Sequence, residues 1–144
     1  MNAVDATRVK MMAYRKLRRL SRYRPVGVLP APSYLSGLPL AENDEILGVY
    51  ENVIGQRQGC VVFSTQGIYA DVDVGWTFIP YARMLKVDVE MPGGDKHKAE
   101  AMQIQMEGNG SQTVVITGRD SKIREIWNVY TFLSRVLYPI KAGP

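Results

Sequence analysis

Few side chains in this sequence could carry chemistry, and each can be weighed by its surroundings. The single histidine, His97, lies in the turn Lys96-His97-Lys98. A general base needs an orienting acid beside it, and no motif supplies one, so His97 is expected to be a solvated loop residue. The single cysteine, Cys60, opens an apolar strand with no histidine near it in sequence, and is expected to be buried and inert. One cysteine also excludes an intrachain disulfide and a cysteine-built zinc site. Asp71 and Asp73 alternate along a strand and share a face with Tyr69. Such a pair could hold a divalent cation or act as acid and base, but a solvent-facing polar stripe is the commoner outcome. Gly93-Gly94, Gly108 and Gly110 lack the strand-then-helix setting of a phosphate loop and read as turns. No catalytic residue, metal ligand or cofactor-binding residue is assigned, and the chain is expected not to be an enzyme.

What remains is charge. The chain has 144 residues, 18 Lys and Arg against 14 Asp and Glu, and a net charge of +4. The balance is uneven. Residues 1–24 carry eight basic residues against Asp5 alone, a net +7, and residues 25–144 carry ten against thirteen acids, a net −3. At about 100° per residue, Val9, Met12, Ala13, Leu17, Leu20 and Tyr23 fall within one arc of roughly 140°. Arg8, Arg15, Arg18, Arg19 and Arg22 fall within a separate arc of about 100°. A helix capped by Asp5 or Thr7 and running to about Arg22 would therefore be amphipathic and basic. Its arginine face is the candidate contact for an anionic surface. Its apolar stripe, interrupted by Lys16, could instead dock on the body of the protein or on a second copy.

With 46% hydrophobic and 22% charged residues, the chain has the composition of one folded domain of ordinary size. Nowhere do ~18 apolar residues run consecutively, so no membrane-spanning helix is expected. No secretory signal is visible, and a lone cysteine fits a reducing compartment, so the expected location is cytoplasmic, with peripheral membrane contact as the alternative.

Three segments follow from the pattern: the basic leader helix at 1–24, a Pro-rich connector at 25–41 laid along the body, and a domain at 42–139. Period-two alternation and turn residues predict strands at 46–53, 60–64, 68–74, 75–79, 82–91, 101–106 and 112–117. A closing helix is predicted from a cap at Asp120 or Ser121, with Ile123, Ile126, Trp127, Tyr130, Leu133 and Leu137 inward and Pro139 as its stop. The fold class is α+β: a seven-stranded antiparallel bent sandwich or partly open barrel, capped by one C-terminal helix, plus the N-terminal amphipathic helix.

Three segments carry a resemblance: Glu42-Asn43-Asp44-Glu45-Ile46-Leu47, Val61-Val62-Phe63-Ser64-Thr65-Gln66-Gly67-Ile68-Tyr69, and Trp76-Thr77-Phe78-Ile79-Pro80-Tyr81-Ala82-Arg83-Met84. Over about residues 42–138 the chain resembles the bacterial pleckstrin-homology-like (PH-like) domains. Met84 stands where that last motif usually has an aliphatic residue. The resemblance implies a scaffold for binding proteins, peptides or sometimes lipids, in some members with oligomer formation. Phosphoinositide-binding members place several Lys and Arg in the first hairpin. Here that loop offers only Arg57, so headgroup binding in the usual pocket is not expected.

The expectation is thus a non-catalytic PH-like interaction module with protein as the leading partner class. An anionic membrane surface reached through the leader, and a role as a small immunity or inhibitor protein, are the alternatives. Nucleic acid is disfavoured as a partner because the body adds no second basic surface, and self-association stays open.

Overall fold

A computed structural model describes residues 4–26, 32–72, 75–108, 110–120 and 123–142. Helix α1 spans Ala6–Lys16, capped by Asp5, whose carboxylate accepts from the Thr7 and Arg8 N–H groups. A three-residue strand, β1 (Tyr23–Pro25), follows. A 3-10 turn at Ser33–Gly37 leads to β2 (Ile46–Tyr50), β3 (Val61–Ser64), β4 (Gly67–Val72) and β5 (Gly75–Pro80). These five strands form one antiparallel sheet in sequence order. After the turn Tyr81–Arg83, strands β6 (Met84–Glu90), β7 (Ala101–Met106) and β8 (Ser111–Val115) form a second antiparallel sheet. A short hairpin, β9 (Arg119–Asp120) with β10 (Ile123–Arg124), precedes helix α2 (Ile126–Ala142).

The molecule is α+β, with, among the described residues, two helices and antiparallel sheets of five and three strands that do not close into a barrel. The expected count of seven strands is corrected, because leader residues 23–25 add a strand that pairs with β2, register Tyr23↔Tyr50 to Pro25↔Gly48. Side chains bridge the two sheets. Asn52 Nδ2 donates to the Val115 carbonyl at 2.7 Å, and the Thr117 N–H donates to Asn52 Oδ1 at 2.8 Å.

The leader helix is also shorter than expected, ending at Lys16 rather than near Arg22. Tertiary bonds claim the backbone that would have continued it. The Ser21 N–H donates to the Glu125 carboxylate at 2.6 Å, and the Glu51 N–H donates to the Arg22 carbonyl at 2.9 Å. Pro25 then biases Arg24 towards extended backbone. Gly48 makes the pairing feasible, since a Cβ there would run into the Tyr23 ring.

Both faces of the five-stranded sheet are covered, so β3 and β4 read as apolar runs rather than as an alternating pattern. On one face Phe63, Ile68 and Ile79 join the main core. On the other, Val49, Cys60, Val62 and Tyr69 are covered by Tyr34, Leu35 and Leu38, so this stretch of the connector lies along the body. The second sheet contributes Val87, Met102, Ile104 and Val114 to the main core. Its other face is polar, with Gln103 donating to Glu90 and accepting from Thr113.

Helix α2 closes the core with Ile126, Val129, Phe132, Leu133, Val136 and Leu137. Phe132 packs edge-on against Phe63 and Tyr81, with centroids 5.5 and 6.1 Å apart. Trp127 and Tyr130, expected to supply much of this contact, are only partly buried and sit edge-on to each other at the rim. Trp127 needs a polar outlet, and its Nε1–H donates to the Lys96 carbonyl at 3.0 Å.

Both helix-end expectations for α2 are corrected. Asp120 lies in the β9 strand and Ile123 in β10, whereas Ser121 lies outside the described residues. Pro139 does not stop the helix, which runs on to Ala142. Proline has no N–H for the carbonyl four residues back. That carbonyl, of Arg135, accepts from Arg8 Nη2 of the leader at 2.7 Å.

The leader's apolar stripe is thus core. Val9, Ala13, Leu17, Leu20 and Tyr23 are all buried, with Leu17 fully inaccessible. Leu17→Ala is expected to cost about 2–5 kcal/mol in denaturant unfolding. Arg19→Ala, two residues along on the exposed side, is expected to change stability by less than ~0.5 kcal/mol.

Candidate functional site

The arginine face divides on inspection. Arg8 and Arg22 turn inward: Arg8 holds the Arg135 carbonyl, and Arg22 Nη1 donates to the Asn52 carbonyl at 2.5 Å and to Thr117 Oγ1 at 3.0 Å. Arg15, Arg18 and Arg19 are exposed. Arg18 lies over the Tyr14 ring, its Cζ 4.0 Å from the centroid, and Nη1 donates to the Tyr14 hydroxyl at 2.6 Å. Met11 and Tyr14, 45% and 60% exposed, stand on the same outward side. Lys10, towards the opposite flank, pairs with Glu45 at 3.0 Å, placing that flank of the leader against the acidic lead into β2. The structure therefore brings Arg18 onto Tyr14 and leaves Met11, Arg15 and Arg19 exposed nearby in the chain, Arg18 and Arg19 in the turn just after α1, whereas Arg8 and Arg22 serve as struts.

Helix α1 is fixed at both ends. Near its C-terminus, Asn128 Nδ2 donates to the Lys16 carbonyl at 3.3 Å, and near its N-terminus Arg8 reaches Arg135. Below it lies Glu125, 2% exposed, whose oxygens accept from the Ser21 N–H and from the Tyr50 hydroxyl at 2.8 Å. The Gly118 N–H donates to that same hydroxyl at 2.9 Å, and a Cβ at Gly118 would collide with both Tyr50 and Glu125.

The residues singled out for catalysis have structural partners. Asp71 accepts from Arg57 Nε at 2.9 Å and from the Gly59 N–H at 3.2 Å, so it closes a turn rather than standing in a solvent-facing stripe, and Asp73 lies outside the described residues. Arg57 also lies over Trp76 at 4.7 Å. Cys60 is buried, and burial, followed by the nearby Asp71 carboxylate, pushes its thiol up to about 12. His97 is exposed, its N–H donating to Asp95 Oδ1 and its carbonyl accepting from Arg124. Among the described residues, no three His, Cys, Asp or Glu side chains gather as metal ligands would.

One polar cluster was not foreseen. Asp44, 8% exposed, accepts from five donors: the Glu45 and Gln66 N–H groups, the Ser64 and Thr65 hydroxyls, and the Tyr69 hydroxyl, at 2.9–3.1 Å. Tyr81, fully buried, donates to the Ser64 carbonyl at 2.9 Å. Residues Asp44, Ser64, Thr65, Tyr69 and Tyr81 therefore meet in a single hydrogen-bonded knot, which positions β2, β3 and β4. An acid two residues before a strand is visible in the sequence, but apart from the Glu45 N–H its partners lie 20 to 25 residues away.

No protein-family model, curated protein or solved structure matches the chain. No helix among the described residues is long and apolar enough to cross a membrane.

Asp44→Ala removes an acceptor shared by five donors, of which the Thr65 and Tyr69 hydroxyls have no other acceptor among the described residues. It is expected to cost about 3 kcal/mol, with Asp44→Asn intermediate, measured by urea unfolding. The buried phenols set a second expectation. Burial, then the bond to Asp44, holds Tyr69 up at about 12 against an ordinary 10.0, and Tyr34, Tyr50 and Tyr81 are raised as well. The folded state thus favours the neutral phenols, and the stability they contribute is complete below pH ~10 and lost as pH climbs through ~12. Absorbance titration should show these tyrosines ionising together with unfolding, and gradual ionisation in a folded protein would contradict their burial.

Proposed function

We propose that this chain is a non-catalytic, PH-like interaction module of the cytoplasm, and that it binds a protein partner through the outward side of α1. The observation that carries the reading is that the leader's apolar stripe is spent in the core. A free amphipathic helix could turn its greasy side to a bilayer, but this one keeps that side against α2 and the sheet. It presents Tyr14, Met11, Arg15, Arg18 and Arg19 on a rigid support instead. Tyr, Met and Arg are the residue types enriched in protein–protein interfaces, where Tyr and Arg also dominate the energetic hot spots. Arg18 stacked on Tyr14 pre-orders two long side chains, which lowers the entropy lost on contact. Three exposed guanidinium groups without a carboxylate partner among the described residues call for a partner surface rich in Asp and Glu.

Truncating the leader would remove part of the core, so charge reversal is the appropriate probe. The variant Arg15→Glu/Arg18→Glu/Arg19→Glu should unfold close to the wild-type midpoint. In capture from native lysate it should lose a partner that the wild type retains, and that partner's affinity for the wild type should fall as salt rises. If the folded variant keeps every partner, the binding surface lies elsewhere. Retention of the wild type by anionic vesicles alone, lost in the variant, would replace the protein partner by a membrane.

A further inference from the structure

We propose that the cleft between the start of α1 and the end of α2 is a binding site for a phosphate group, a location separate from the first-hairpin pocket and from the outward face of α1. An open pocket of about 330 Å³ is lined there by Arg8, Ser134, Arg135 and Tyr138. Two arginines, a serine and a tyrosine thus line one small space, and among the described residues no carboxylate lines it. Guanidinium groups offer planar, paired N–H donors that match the oxygens of a phosphate, and two such cations match a dianion better than a carboxylate.

The geometry of Arg8 strengthens the case. Its side chain is pinned by the Nη2 bond to the Arg135 carbonyl, the acceptor released by Pro139. Its Nε is shut away from solvent with no hydrogen-bond partner among the described residues. The guanidinium is therefore held in place by its carbonyl bond and joins no ion pair among the described residues, which leaves its charge available to an anion in the cleft. The one acid on this part of the leader, Asp5, spends its carboxylate on the Thr7 and Arg8 N–H groups as the helix cap. Arg135 itself is exposed and joins no ion pair among the described residues. Tyr138, 71% exposed at the rim, supplies a hydroxyl and a ring wall. The phosphate could belong to a small soluble metabolite or to a lipid headgroup, and one experiment separates them.

The full chain is titrated with inorganic phosphate, with chloride at matched ionic strength as the control, while amide resonances of Ser134, Arg135 and Tyr138 are followed. Saturable shifts confined to this cleft are expected. Arg135→Gln, which keeps the carbonyl that holds Arg8, should weaken binding by about tenfold or more, and Arg8→Lys should also weaken it. Lys86→Gln, on β6 and outside the cleft, should change it by less than about twofold. In parallel, vesicles of phosphatidylcholine with and without phosphatidic acid are sedimented with both proteins. Retention that requires phosphatidic acid and falls with Arg135→Gln assigns the phosphate to a lipid, and phosphate titration without vesicle retention assigns it to a soluble ligand. Absence of saturable shifts at the cleft, or equal phosphate affinity in the wild type and Arg135→Gln, overturns the proposal.

Discussion

A carboxyl group removed from water is tolerated only where its oxygens find donors, and Glu125 meets that condition by drawing four segments together. One oxygen is capped by the Ser21 N–H of the leader and the other by the Tyr50 hydroxyl at the end of β2. Gly118, the only residue type that leaves room, adds its N–H to the same hydroxyl. The carbonyl of Glu125 meanwhile accepts the opening bonds of α2 from Asn128 and Val129. Arg22 lies alongside, tying Asn52 and Thr117 into the group, and Asn52 reaches on to the Gly59 and Val115 carbonyls. Leader, both sheets and closing helix are therefore registered against one another at this point. The hydrophobic core supplies most of the stabilisation, but it is non-directional. The polar knot is what decides which way the leader lies.

That arrangement explains why parts of the fold were legible in sequence and parts were not. Strands β2 to β8 fall within a few residues of their expected positions, because alternation and turn residues are local signals. The α+β class and the apolar stripe of the leader were legible for the same reason. What escaped were elements decided by distant partners. β1 is three residues of an arginine-rich segment with a proline, and it is a strand only because β2 offers an edge. The β9–β10 hairpin lies where capping residues suggested a helix start. Pro139 reads as a helix stop unless one knows that an arginine 127 positions away in sequence satisfies the carbonyl it leaves unpaired. In α2, the inward stripe includes Val129, Phe132 and Val136, whereas the three- and four-residue spacing placed Trp127 and Tyr130 inward, and they lie at the rim.

The candidate surface shows the same division. Five arginines on one helical arc were readable from spacing alone. That two of them act as internal struts was not, because their acceptors are main-chain carbonyls and a threonine hydroxyl contributed by residues 30 to 127 positions away. Cys60 and His97 could be set aside from their neighbours in sequence. Asp44 could not be interpreted that way, since one acid among Glu42, Asp44 and Glu45 before a strand carries no hint of five donors converging on it.

The antiparallel seating of α1 against α2 also bears on how the chain comes into being. Lys16 and Asn128 are 112 residues apart, and Arg8 and Arg135 are 127 apart. During synthesis the leader emerges well before the helix that covers it. At about 5–20 residues per second, its apolar stripe stays uncovered for on the order of ten seconds. For that interval the nascent chain exposes the apolar residues Val9, Ala13, Leu17 and Leu20, which the finished protein buries, on a segment whose 11 helical residues are too few to hold a helix firmly by themselves. The surface available to ribosome-associated factors is therefore different from the one available afterwards, and completion of α2 is the event that exchanges one for the other.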